Sequence, residues 1–186
     1  MKQIEGGFTL VELIIVAGIM VVLLTLAIAN FPHARGSVAL NRAAQEVALG
    51  IRDAEAGALS VAKDTVTGTF PGYGIYFNIN NPLSYIIFAD RDEDKRRKSD
   101  ASEDQLSFTL PVFIQIIRLQ NASGGSENEL HIVFLRPDPA ITVYNSSSNL
   151  GQGNFQVHMQ HSALSGAGSS RIVSFWTTGQ VSVIHP

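Results

Sequence analysis

The sequence contains no cysteine. That excludes a disulfide framework and any thiolate metal centre, while leaving the compartment open. A strong excess of charge of one sign is also missing, with 13 Lys and Arg against 16 Asp and Glu. No broad basic field is present to draw in nucleic acid. None of the many serines sits in a G-x-S-x-G elbow, and no Walker or dinucleotide-binding glycine loop occurs. What the 186 residues do have is hydrophobic content, at 45%, enough for one core of ordinary size.

Much of that content lies near the N-terminus. Phe8 to Ala29 is a run of 22 residues with one charge, Glu12. As a helix it would extend about 33 Å, close to the hydrocarbon thickness of a bilayer, about 30 Å. By spacing alone the run is either a plain membrane anchor or a secretory signal. Ala27-Ile28-Ala29 offers a signal-type cleavage pattern that would leave Asn30 as the new terminus. Against a signal stand the length of the run, its internal Glu, and a leader in which Glu5 offsets Lys2. Arg35 and Arg42 lie on the far side, so charge bias does not orient the segment.

The string Gly6-Gly7-Phe8-Thr9-Leu10-Val11-Glu12 points further. It resembles the processing site of type IV pilins and of the pseudopilins of type II secretion. The resemblance implies a leader ending at Gly7, cut there by the prepilin peptidase, with Phe8 then N-methylated by the same enzyme. A glycine before the cut lets the backbone be drawn into shapes that a Cβ resists. The new terminus would carry an amine that is largely cationic at neutral pH. Glu12 stands four residues on, about one helical turn away. An ionisable residue inside a membrane segment is expected to have a partner. The resemblance implies that this partner is the Phe8 amine, within one subunit or between neighbours.

Asn30-Phe31-Pro32 punctuates the run, and Pro32 is expected to kink or break the helix locally. Beyond it Leu40, Ala44, Val47, Ile51, Ala54, Ala58 and Val61 recur in steps of four and three, the stripe of an amphipathic helix. Gly50 and Gly57 weaken that helix slightly. From Thr65 onward short β-type runs follow: 74–78, 84–88, 106–110, 113–119, 130–135 and 141–144. A terminal hairpin, 171–176 with 181–184, turns at Gly179. Phe155 to His161 reads as strand or loop. The stretches 121–128, 145–154 and 162–170, rich in Ser, Gly and Asn, read as exposed loops.

The expected class is α+β: a long N-terminal helix, apolar then amphipathic, packed on an antiparallel sheet, as in the pilin-like fold. The expected divisions are a leader, 1–7; a transmembrane or filament-core half-helix, 8–29; an amphipathic half-helix, 30–64; and a β domain, 65–186. The strand and acidic turn Tyr85 to Asp94 are similar to those of H-type minor pseudopilins and FimT-like pilins, as is the Ile172…Phe175…Gly179…Val181 hairpin. The resemblance implies a non-enzymatic, minor filament subunit held in the inner membrane with its domain outside the cytoplasm. Its partners would be lipid, other pilins, the peptidase and the assembly platform. DNA and secreted cargo are further partners that the residues do not establish. The alternatives are a major pilin, or a membrane-tethered or secreted enzyme or binding domain.

Three clusters remain. Asp90, Asp92 and Asp94 alternate as calcium ligands do, but Lys95 stands where an EF-hand loop wants Gly, and Ala101 where it wants its closing Glu. The reading taken is a solvated, self-neutralising loop without a metal, with calcium as the alternative. Lys95-Arg96-Arg97-Lys98 would suit phosphate contacts, but flanking acids blunt its field. His158 and His161, three apart on a strand, would face opposite ways and could not share an ion.

Overall fold

The computed structural model describes residues 8–60, 68, 70–135, 141–166 and 168–185. The chain divides into two units, Met1–Arg35 and Gly36–Pro186. The leader positions Gly6 and Gly7, and Val61 at the end of the stripe, lie outside the described residues.

Helix α1 runs from Leu10 to Leu59 with Pro32 inside it, so Pro32 does not end the helix. A proline in a helix costs one backbone bond and some steric strain, and here the flanking turns carry the helix through. In the first unit the helix is apolar and bare: from Leu10 to Ile28 every described side chain is exposed, Phe8 before it by 81%. It is long and apolar enough to cross a membrane.

In the second unit the same helix supplies a core face. Leu40, Ala43, Ala44, Val47, Ile51, Ala54 and Ala58 are buried, the predicted stripe with Ala43 added. The glycines have a packing role: a Cβ on Gly50 would lie 2.9 Å from the Tyr85 ring, and one on Gly57 3.1 Å from the Tyr73 ring.

The β region is two five-stranded antiparallel sheets, where the sequence reading expects one. Strands are β1 (Gly72–Asn78), β2 (Ser84–Asp90), β3 (Asp104–Thr109), β4 (Ile114–Gln120), β5 (Ser126–Glu127), β6 (Glu129–Phe134), β7 (Ile141–Tyr144), β8 (Asn154–His161), β9 (Ser170–Trp176) and β10 (Val181–Ile184). The first sheet has the order β3-β2-β1-β6-β7 and the second β10-β9-β8-β4-β5. The chain leaves the first sheet after β3, where Pro111 cannot donate to a ladder, and Ile114 N–H bonds back to Pro111 O at 3.0 Å. The inner faces of both sheets and the helix stripe close on one core, with Ile75, Phe77, Phe134, Phe155, Val157 and Phe175 among its members.

Strand β8 resolves the ambiguous 155–161 segment. Its side chains alternate perfectly, with Phe155, Val157, Met159 and His161 buried and the polar residues between them half-exposed. His158 and His161 therefore lie on opposite faces, as the spacing predicts. The hairpin of β9 and β10 forms with Gly179 at φ 90°, a conformation glycine adopts without penalty.

The loops read as simply exposed are more structured than that. Ser126 and Glu127 form β5, and the Glu127 carboxylate accepts from Asn121 Nδ2 (2.7 Å) and Asn145 Nδ2 (2.9 Å). Each of those asparagines also caps its own turn, Asn121 Oδ1 accepting from Ser123 N–H and Asn145 Oδ1 from Ser147 N–H.

Gly74, on the outer face of the first sheet, lies where β1 leaves no room for a side chain. An added Cβ would stand 2.6 Å from Phe88 Cζ and 2.7 Å from Ile132 O. The backbone oxygen cannot swing away, so Gly74→Ala is expected to destabilise the chain by about 1–3 kcal/mol. Chemical denaturation of the full chain in detergent micelles checks this.

Candidate functional site

Two places hold the residues that the sequence singles out. The first is the start of α1. Thr9 stands before the helix, and its Oγ1 accepts from Glu12 N–H at 3.2 Å, while Leu13 N–H bonds to Thr9 O at 3.2 Å. This is an N-cap, and Thr9-Leu10-Val11-Glu12 has the T-x-x-E order of a capping box. Glu12 thus lies in the first helical turn, where the helix dipole favours an anion. The capping order was readable in the sequence and gives Glu12 a local structural role beside its expected pairing with the Phe8 amine. Glu12 and Phe8 are both exposed.

The second place is the 91–103 connection between β2 and β3, which carries Asp92, Asp94 and the basic run, with Asp90 at the end of β2. It is a solvated loop only in part, with 92–94 and 99–102 exposed. It folds over the outer face of the first sheet, and Lys95 to Lys98 are all partly buried. Arg97 makes a two-pronged pair with Asp104, Nε to Oδ1 at 2.6 Å and an outer nitrogen to Oδ2 at 2.7 Å. Its guanidinium also lies 5.2 Å from the centre of the Tyr76 ring, and that of Arg96 lies 5.5 Å from the Tyr144 ring. Such cation–π contacts favour Arg over Lys. The basic run is therefore partly occupied with its own domain. The self-neutralising character does hold in part, since Lys98 Nζ reaches Asp92 Oδ2 at 2.7 Å.

Beneath the connection lies His131, 3% exposed. Its Nδ1 accepts from Arg97 N–H at 2.8 Å, so the ring's proton belongs on Nε2, 3.5 Å from Glu129 Oε1. Burial pushes the His131 pKa down, and the Glu129 charge only partly opposes this. The ring packs 4.7 Å from Tyr76 and edge-on to Phe88 at 6.3 Å.

At the acidic end, Asp90, Asp92 and Glu103 each offer a carboxylate oxygen within 4.8 Å of the other two. Asp94, the third acid of the alternating set, is exposed, and its Oδ1 accepts instead from Arg96 N–H at 2.7 Å. Glu103 takes its place, two positions beyond the Ala101 that an EF-hand pattern made the closing position. Asp90 and Glu103 are each 1% exposed. Burial drives the Asp90 pKa up to about 7, with the neighbouring Glu103, Asp94 and Asp92 charges adding to the rise against the Lys95 N–H that lowers it. Pairing with Lys98 holds Asp92 below its ordinary value.

No family model, curated protein or solved structure matches the chain.

The His131 contact sets a pH dependence. A pKa lowered on folding means that stability present above the unfolded value, about 6.5, is lost as the pH falls through the folded value. Protonating Nδ1 would also break its bond to Arg97 N–H. His131→Phe should cost about 1–3 kcal/mol at neutral pH by stranding that N–H. The gap between variant and wild type should close on acidification. Denaturation midpoints of both proteins across the acid range check this. The comparison isolates the histidine, because Asp90 titrates in both and in the opposite sense: its raised pKa stabilises at low pH and is lost as the pH rises through about 7.

Proposed function

We propose that this chain is a structural filament subunit, a minor member of the type IV pilin and pseudopilin class, anchored in the inner membrane before assembly. The observation that carries this reading is the bare first part of α1. It is a run of exposed apolar side chains from Leu10 to Ile28, interrupted by one carboxylate in its first turn. Leaving such a surface in water is costly, so lipid must cover it first and neighbouring helices afterwards. Exchange of lipid contacts for helix packing is then the energetic basis of assembly. Glu12 adds direction. In a filament its charge is placed to meet the Phe8 amine that cleavage after Gly7 exposes.

Supporting this is the layout of the rest: an amphipathic second half of the same helix, buried in an antiparallel β domain. Two of the domain's Ser- and Asn-rich turns, tied together through Glu127, offer surface for contact with filament neighbours or cargo.

Two measurements test the reading. The mature chain, purified from membranes of a host that carries the prepilin peptidase, should begin at N-methylated Phe8. A terminus at Asn30 would point instead to a secreted domain and would overturn the proposal. The second uses Glu12→Gln, which keeps the capping order of the helix start but removes the charge. It should abolish incorporation into filaments while leaving membrane insertion intact. Normal incorporation would reduce Glu12 to its cap.

A further inference from the structure

We infer that Asp90, Asp92 and Glu103 form a binding site for a hard divalent cation of the calcium class, with Lys98 as its built-in competitor. The site lies wholly within the Gly36–Pro186 unit and does not depend on the filament reading.

Geometry comes first. Oxygens around one calcium ion at 2.3–2.6 Å lie no more than about 5 Å apart. The three carboxylates each place an oxygen within 4.8 Å of the other two, inside that limit, so all three lie within reach of one ion. The set is oxygen only, which suits hard cations and not thiophilic ones. Water would complete the shell on the side of Asp92, the exposed member.

The second observation is Asp90. It is 1% exposed, and its Oδ1 has no hydrogen-bond partner among the described residues. A buried acceptor without a partner is expensive, and a buried carboxylate beside another more so. The other oxygens show how the site is held. Asp90 Oδ2 accepts from Lys95 N–H (3.1 Å), Glu103 Oε1 from Arg91 N–H (2.9 Å) and Glu103 Oε2 from Lys98 N–H (3.1 Å). These backbone donors orient the carboxylates and occupy one lone pair each. A carboxylate oxygen has a second lone pair, which remains for an ion.

Lys98 Nζ, 2.7 Å from Asp92 Oδ2, supplies a positive charge when no ion is bound. The Lys98 side chain is 42% exposed, and such a surface pair is weak. A divalent ion can displace it, and the lysine swings into water.

The test uses the full chain in detergent micelles, stripped with chelator and titrated calorimetrically with CaCl2. The expected result is saturable binding of one Ca2+ per chain, in the affinity range of extracellular modules, about 0.1–1 mM. Asp92→Asn should weaken it by about tenfold or more. Lys98→Met, which removes the competitor, should tighten it. No saturable binding by the wild type up to about 10 mM, or a smaller loss in Asp92→Asn, overturns the inference. Should Asp92→Asn fail to fold by circular dichroism, Lys98→Met decides: affinity equal to or weaker than wild type overturns it.

Discussion

The β domain depends on one constraint, the need to seal the helix stripe from Leu40 to Ala58. Most of that stripe is alanine, with Gly50 and Gly57 beside it. Small side chains bring the helix axis close to the sheets, and the aromatic rings of Tyr73 and Tyr85 fill the space that a larger residue would take. The two sheets then supply the bulk: Phe77 and Phe134 from one, Phe155 and Phe175 from the other, the last pair stacked with ring centres 5.5 Å apart. A polar clasp fixes the end of this packing. Arg171, 6% exposed, donates to Ser37 Oγ at 3.1 Å and to Ser170 O at 2.6 Å.

The opposite face of the first sheet follows a different principle. There the cover is the charged 91–103 connection rather than a hydrophobic layer. It is held by the Arg97–Asp104 pair, by guanidinium groups over tyrosine rings, and by a main-chain bond to a neutral histidine. Three non-glycine residues of this connection, Glu93, Lys95 and Ala101, have positive φ. Such conformations cost energy and persist only where surrounding contacts enforce them.

Which parts were legible in the sequence follows from how local each signal is. The helix stripe, β1 with β2, and the closing hairpin all show in periodicity and turn residues, because each is determined within a dozen positions. Strand β8 alternates just as cleanly, but its polar positions are Asn, Gln and His, which dilute the β signal. The split into two sheets is not local at all, since it depends on which strands pair across long separations. Likewise Asp90 and Asp92 could be picked out as a set, whereas Glu103 could not. It reaches them only because the connection doubles back, and templates with fixed ligand spacing pass over it. The basic run was only partly legible for a related reason: composition says charged and solvated, while Tyr76 and Tyr144, far away in sequence, supply rings that cover Arg97 and Arg96. Thr9 was the opposite case, a local capping order overshadowed by the processing motif that contains it.

The order of the strands also bears on how the chain reaches this structure. It alternates between sheets, with β1 to β3 in the first, β4 and β5 in the second, β6 and β7 in the first again, and β8 to β10 in the second. Tyr73 in β1 must wait for Phe134 in β6, and Ile114 in β4 for His161 in β8. Neither sheet can be completed as the chain emerges segment by segment, so ordering is expected to come late and slowly, as long-range pairing generally is. Each sheet takes strands from the last third of the chain, so neither can close its edges until most of the sequence is available.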